Sequence, residues 1–304
     1  MFSMKRLFPA FSGLAVALAM SAAAHAADTY TPSNAYDPGT VAGRMPAVSG
    51  INGKLVGLGG VIDGSAVGAA IGSISVPVPF IPIMGVQVDT LAGTWDSDPL
   101  YGGALHIFFR DPSIGLLGAY GEWTYVSPEH YGRVGAELEI YLGRFSFEGV
   151  AGGSFGQNVD DSFFDEVDLA YYVTDDFRVS AGHVYSQLGH QGKLGVEYQL
   201  PWSTGPIGVS AFGEGRIGEN DYYGAWAGLK LYFGKEQKSL IRRHREDDPR
   251  TRYPSSIAPL TNCGIKTGAG KYCGSDDDFD KPAKPTPTPV IGGGGPGGGN
   301  SGET

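Results

Sequence analysis

Only two cysteines occur in 304 residues, too few to frame a small disulfide-stapled fold. Charged side chains are also scarce, at 18% of the chain, and their balance is acidic: 22 Lys and Arg against 32 Asp and Glu, a net charge of −10. That shortage of positive charge removes the electrostatic driver of nucleic-acid binding. Beyond the first 26 residues, no apolar run approaches the roughly 20 residues that a spanning helix needs. What the chain does have is 49 glycines, 16 tyrosines and 15 phenylalanines. Glycine stands at more than twice its roughly 7% share in globular proteins. With 41% hydrophobic residues, this composition excludes both a chain disordered throughout and a helical bundle.

Residues 1–26 carry Lys5 and Arg6, then the apolar run Leu14–Met20, then the small residues Ala24-His25-Ala26 before Ala27. This is the pattern of a secretory signal peptide, with cleavage expected before Ala27. Loss of Lys5 and Arg6 moves the net charge from −10 to about −12. Residues 27–52, with Pro32, Pro38 and Pro46, read as an extended periplasmic leader with no periodic apolar face.

From 53 to 233 the pattern changes to segments of alternating polarity, separated by short clusters of turn residues. The spacing predicts twelve strands, near 54–62, 66–76, 84–94, 101–110, 114–126, 130–142, 144–156, 163–173, 176–187, 190–200, 206–217 and 222–233. Pro77, Pro79 and Pro82 obscure the second connection, and ten strands also fit. Val134, Ala136, Leu138, Ile140 and Leu142 share one apolar face, opposite Arg133, Glu137 and Glu139. Leu194, Val196 and Tyr198 repeat the pattern opposite Lys193 and Glu197. A soluble secreted β-sandwich also alternates. Strand length separates the two, because a tilted bilayer crossing takes about 9–11 residues whereas ordinary strands average 5–6. Aromatic residues gather near the segment ends, as Tyr101, Trp123, Tyr125, Tyr131, Phe145, Tyr171, Tyr172, Trp202, Tyr222, Tyr232 and Phe233 do, where rings would meet lipid headgroups. The expected fold is therefore an all-β, antiparallel transmembrane β-barrel. Tight turns are expected at one end (110–113, 142–144, 173–176), with somewhat longer acidic connections at 93–99 and 156–162.

The last segment closes on Gly228-Leu229-Lys230-Leu231-Tyr232-Phe233. Together with the signal peptide and the alternating strands, it resembles the porin-like β-barrel proteins of Gram-negative outer membranes, over residues 53–233. The segments Asp168–Tyr172 and Leu240–Pro249 are similar to members of that group. The resemblance implies insertion by the barrel assembly machinery, with Gly228, Leu231 and Phe233 as the assembly signal, and implies no substrate. This chain departs from the pattern in that residues 234–304 follow the terminal Phe.

Alternation assigns His106, Arg110, Glu122, Arg133, Glu137, Glu139, Glu148, Arg178, Lys193, Glu197, Glu214, Arg216 and Lys230 to a lumen. In a narrow barrel these charges must satisfy one another or trapped water. In a wider one they line a water-filled path, where the acidic excess at Glu137, Glu139 and Glu148 favours cations. His106, His183 and His190 sit in no nucleophile motif of the kind an outer-membrane acyl hydrolase needs, and no residue is assigned a catalytic role. No cofactor motif is present.

The tail, 234–304, is expected to be a flexible, mostly disordered periplasmic extension. Its basic run includes Arg242, Arg243 and Arg245, either a solvated helix or linker, or an anion-binding tether to peptidoglycan or lipid phosphates. Cys263 and Cys273 are expected to pair in an oxidising compartment. Without a nearby His pair they fall short of a zinc site. The Pro-Thr and Gly repeats from Lys281 to Gly299 are low-complexity sequence.

Overall fold

A computed structural model describes residues 45–261, apart from 128, 157–158, 202–205 and 220. The signal peptide, most of the leader, Trp202, the Cys263–Cys273 pair and the low-complexity end lie outside the described residues. Twelve antiparallel strands form the body: β1 (Asn52–Ile62), β2 (Ser65–Val78), β3 (Ile81–Trp95), β4 (Asp98–Asp111), β5 (Gly115–Val126), β6 (Glu129–Leu142), β7 (Phe145–Gly156), β8 (Val159–Thr174), β9 (Phe177–Ser186), β10 (Gly189–Gln199), β11 (Ile207–Gly218) and β12 (Tyr223–Phe233). Each pairs with its sequence neighbour, and β1 closes on β12 from Gly53 opposite Phe233 to Ile62 opposite Gly224. Closure removes every sheet edge, so the backbone groups are satisfied without water, the condition for crossing a bilayer. It also excludes the two-sheet sandwich. Gly228 has a local structural reason at this seam: a Cβ there would lie 1.9 Å from the carbonyl oxygen of Gly57.

The period of two sorts side chains onto two surfaces. Leu105, Ile107, Phe109, Leu117, Val134, Leu138, Ile140, Leu169, Leu194, Val196 and Leu229 are exposed on the outside, where they form the apolar band that lipid requires. Tyr101, Tyr125 and Trp123 stack near one end of that surface, and Phe145 meets Tyr171 near the other. The expected girdle is only partly right, because Tyr131, Tyr172, Tyr222 and Tyr232 are buried on the inner face. Their parity along the strand, not their proximity to its end, decides where they point.

Both barrel ends enter at one mouth, here the near mouth, which also carries the turns β2–β3, β4–β5, β6–β7 and β8–β9. The connections at the far mouth are not longer, as the sequence had suggested. Asp96 and Ser97 alone join β3 to β4, with φ of 50° and 76°, because Asp tolerates the left-handed conformation that a two-residue hairpin demands. Proline is accommodated at the other end, where the β2–β3 register shifts between Pro77 and Val78, an irregularity of the kind where strand prolines occur.

After Phe233 the chain turns into the barrel. Two short helices, α1 (Leu240–Glu246) and α2 (Tyr253–Thr261), lie inside it. Arg243, Arg245, Arg252, Tyr253, Ile257 and Leu260 are all buried. No helix among the described residues is long and apolar enough to cross a membrane.

Candidate functional site: the plugged lumen

Of the thirteen lumen residues expected from alternation, all point inward. All are buried except Glu214 and Lys230, whose side chains are 10% and 19% exposed. The wall neutralises much of its own charge. His106 lies between Asp89 (3.3 Å) and Glu137 (2.9 Å). Arg133 meets Glu122 at 2.7 Å, and Arg178 donates to both oxygens of Glu148 at 3.0 and 2.8 Å. Lys193 pairs with Glu166 and, at 2.6 Å, with Asp168. Arg216 pairs with Glu214 at 2.6 Å, and Lys230 with Glu197 at 2.5 Å. Asp89, Glu166 and Asp168 were not singled out from the sequence, although the alternation that placed Glu148 inward extends to them.

The wall alone is incomplete, and residues 238–260 finish it in three tiers. At the near mouth, the foot of the plug is fixed by Lys238, which donates to Ser49 Oγ at 2.6 Å and to Asp247 Oδ1 at 2.5 Å. The backbone NH of Leu240 donates to Asp176 Oδ1 at 3.0 Å, so the β8–β9 turn receives the start of α1. His244 lies between the hydroxyls of Tyr172 (2.8 Å) and Tyr232 (3.2 Å). Arg110 donates to the carbonyls of Ala47 and Asp247, at 2.6 and 2.8 Å, joining the leader to the plug.

The middle tier is ionic. Arg250 Nη1 is 2.5 Å from Asp168 Oδ2 and Nη2 is 2.7 Å from Glu214 Oε2. Arg133 donates to the carbonyl of Arg252 at 3.2 Å, and Lys54 and Gln87 both donate to that of Pro249 at 3.2 Å. Buried carboxylates facing buried guanidinium groups are what make this packing tolerable, since either set alone would be stranded away from water.

The far tier is apolar. Ser255 bonds to Glu166, and Ser256 accepts from Thr124 at 3.0 Å. Beyond them Tyr253, Ile257, Ala258 and Leu260 join a cluster with Ile62, Trp95, Leu100, Val126, Leu188 and Tyr222, which line the far mouth. Gly102 makes room for this tier: a Cβ there would approach Tyr253 Cε1 to 2.9 Å. A cavity of about 80 Å³ remains beside the plug, between Glu148, Arg178, Glu197 and Arg250.

This corrects the reading of Arg242, Arg243 and Arg245 as an anion-binding patch. Arg242 is held by Glu236 and Glu246, each at 2.9 Å. Arg243 donates to Gln199 at 2.9 Å and covers the Tyr232 ring. Arg245 donates to the Phe145 carbonyl at 2.8 Å and to Ser146 at 3.1 Å. The acidic partners of the run, Glu236 and Glu246, lie in the same tail segment, and the wall meets it with Gln199, Ser146 and the Phe145 carbonyl. Nor is residues' 238–260 stretch a solvated linker.

His183 and His190 lie on the outer surface. His183 bonds to Asp165 at 3.1 Å and to His190 at 2.9 Å, not to a serine hydroxyl. Among the described residues, no cluster of three His, Cys, Asp or Glu side chains could hold a metal ion.

These features define a closed, antiparallel transmembrane β-barrel whose lumen is filled by its own C-terminal segment. No protein-family profile matches the chain, and no curated protein matches it in sequence. Solved structures similar to it are barrels. An outer membrane channel from Pseudomonas putida F1 is 12% identical with a TM-score of 0.47, covering 65% of this chain and 99% of that one. The KdgM porin is 9% identical with a TM-score of 0.44, covering 60% and 98%. Outer membrane phospholipase A from Escherichia coli is 12% identical with a TM-score of 0.39, covering 66% and 95%.

Proposed function

We propose that the protein is an outer-membrane β-barrel held shut by its own C-terminal segment, an envelope anchor and not an open solute channel. The near mouth faces the periplasm in this reading, because the chain enters β1 and leaves β12 there, and Phe233 offers its outward face to the assembly machinery. Lipid and lipopolysaccharide contact the apolar band. The observation that carries the reading is Arg250, which bridges Asp168 and Glu214 at mid-lumen, where an ion path would have to run. Small-solute permeability then requires the plug to leave, and no catalytic step is assigned.

The test is single-channel conductance in a planar bilayer. The mature protein should be silent, and the chain truncated after Phe233 should conduct, with heat-modifiability on gels showing that both are folded. Steady conductance from the intact, folded chain would overturn the anchor reading in favour of a channel.

A further inference from the structure

The plug does not fold back on itself but advances along the barrel axis. Arg243 and Arg245 bond to Gln199 and Ser146 at the near mouth. Arg250 meets Asp168 and Glu214 half-way along. Ser256 meets Thr124 further on, and Ile257 and Leu260 pack with Trp95, Leu100, Val126 and Leu188 around the far mouth. Each step in sequence is a step away from Phe233, so Thr261 stands at the end opposite to the one where β12 finishes.

A return pass would need a lane for a second segment along the lumen. The cavity beside the plug, about 80 Å³, is lined by Glu148, Arg178, Glu197 and Arg250 and by none of Trp95, Leu100, Val126 or Leu188, so it does not run on to the far mouth. The far tier also closes around α2 with apolar side chains, which gives no polar groove for a descending backbone whose NH and CO groups would need partners.

We propose that the chain threads its own barrel and leaves by the far mouth, so that the residues following Thr261, Cys263 among them, are delivered to the outer face of the membrane. This rests on the orientation given under Proposed function and adds a role to it: the barrel is a display anchor, and residues 234–261 are both its seal and the stem that carries the following segment outward. The energetic logic is that of a stem fixed at three heights. The ionic foot and middle tier resist withdrawal toward the periplasm, and the apolar collar keeps water out of the mouth through which the chain passes.

The experiment is thiol labelling of intact cells expressing the full chain, after mild reduction, with a membrane-impermeant biotin-maleimide. The native Cys263 and Cys273 are the only cysteines. Controls in a Cys263→Ser, Cys273→Ser background carry Gln187→Cys at a far turn or Ser113→Cys at a near turn. The expected result is that Cys263 and Cys273 label in intact cells to the same extent as Gln187→Cys, while Ser113→Cys labels only after the outer membrane is permeabilised. Trypsin added to intact cells should likewise cut after Lys266 or Lys271 and shorten the protein, leaving the barrel whole. Protection of the native cysteines and of these lysines while Gln187→Cys still labels overturns the threading and leaves the anchor reading standing. Labelling of Ser113→Cys with protection of Gln187→Cys inverts the orientation, and overturns both.

Discussion

Arg250 lies 2.5 Å from Asp168 on β8 and 2.7 Å from Glu214 on β11, two strands that are not neighbours in the barrel. A single guanidinium from the plug therefore ties two strands three places apart in the barrel wall. Replacing Arg250 by Ala leaves Asp168 with Lys193 as partner and Glu214 with Arg216, but strips each of its bond to the plug. The expected cost is on the order of 3 kcal/mol, the scale of breaking a buried pair. It should be read as a lower urea midpoint in detergent. An unchanged midpoint would mean that the plug is not coupled to barrel stability.

Gly102 offers a more selective perturbation. Valine there would collide with Tyr253 Cε1 and with the carbonyl oxygen of Trp123, which a Cβ approaches to 2.9 and 3.0 Å. The ring is the part that can move, so Gly102→Val should unseat α2 while the strands stay paired. Trypsin cleavage at Arg250 and Arg252 of the refolded protein measures this. Faster cleavage than in the parent is expected, with heat-modifiability unchanged.

The outer surface carries a different vulnerability. Val196 is 45% exposed on the apolar band, and arginine there places a charge in lipid at a cost of about 2–4 kcal/mol near mid-bilayer. Val196→Arg should reduce the folded fraction recovered in the membrane. Wild-type recovery would show that this face is not in lipid.

Much of this architecture was legible in the sequence because a barrel wall is a one-dimensional code. Alternation at Val134–Leu142 gave the strand, the face and the inward Glu137 and Glu139 together, since a strand has only two sides. The plug obeys no such code. Leu240–Glu246 and Tyr253–Thr261 are short and mixed in polarity, and the second holds Pro259, so neither shows a clear apolar stripe. Their fit is set by partners far away in sequence, as Arg250 is by Asp168 and Glu214. Read alone, a run of arginines looks like a surface for anions; only the folded chain shows that the groups it meets belong to the same molecule.

The foot of the plug should respond to acid. Burial alone would raise the Glu246 carboxyl, but Arg242 and Lys238 beside it outweigh that and hold it below the usual carboxylate range. A depressed folded value contributes stability that is complete above the unfolded value of about 4.3 and is lost as pH falls through the folded one. The protection of residues 238–247 against hydrogen exchange, relative to the intrinsic amide rate at each pH, should therefore be constant from neutral pH down to the ordinary carboxylate range and fall below it. Loss of protection already near neutrality would remove Glu246 as the controlling group.

The plug follows β12 in the chain, and this constrains its assembly. The residues that fill the lumen have partners on strands all round the wall, from Lys54 on β1 to Glu214 on β11, so they can seat only once those strands have come together. A nascent barrel missing them would have all twelve strands and a charged, water-filled interior, so truncation by a stop codon or a protease just past Phe233 would turn a sealed protein into a leak in the permeability barrier. Either the seam between Phe233 and Gly53 stays open until the stem is in place, or the stem climbs a finished cylinder. The cell is spared a transient hole only by the first route.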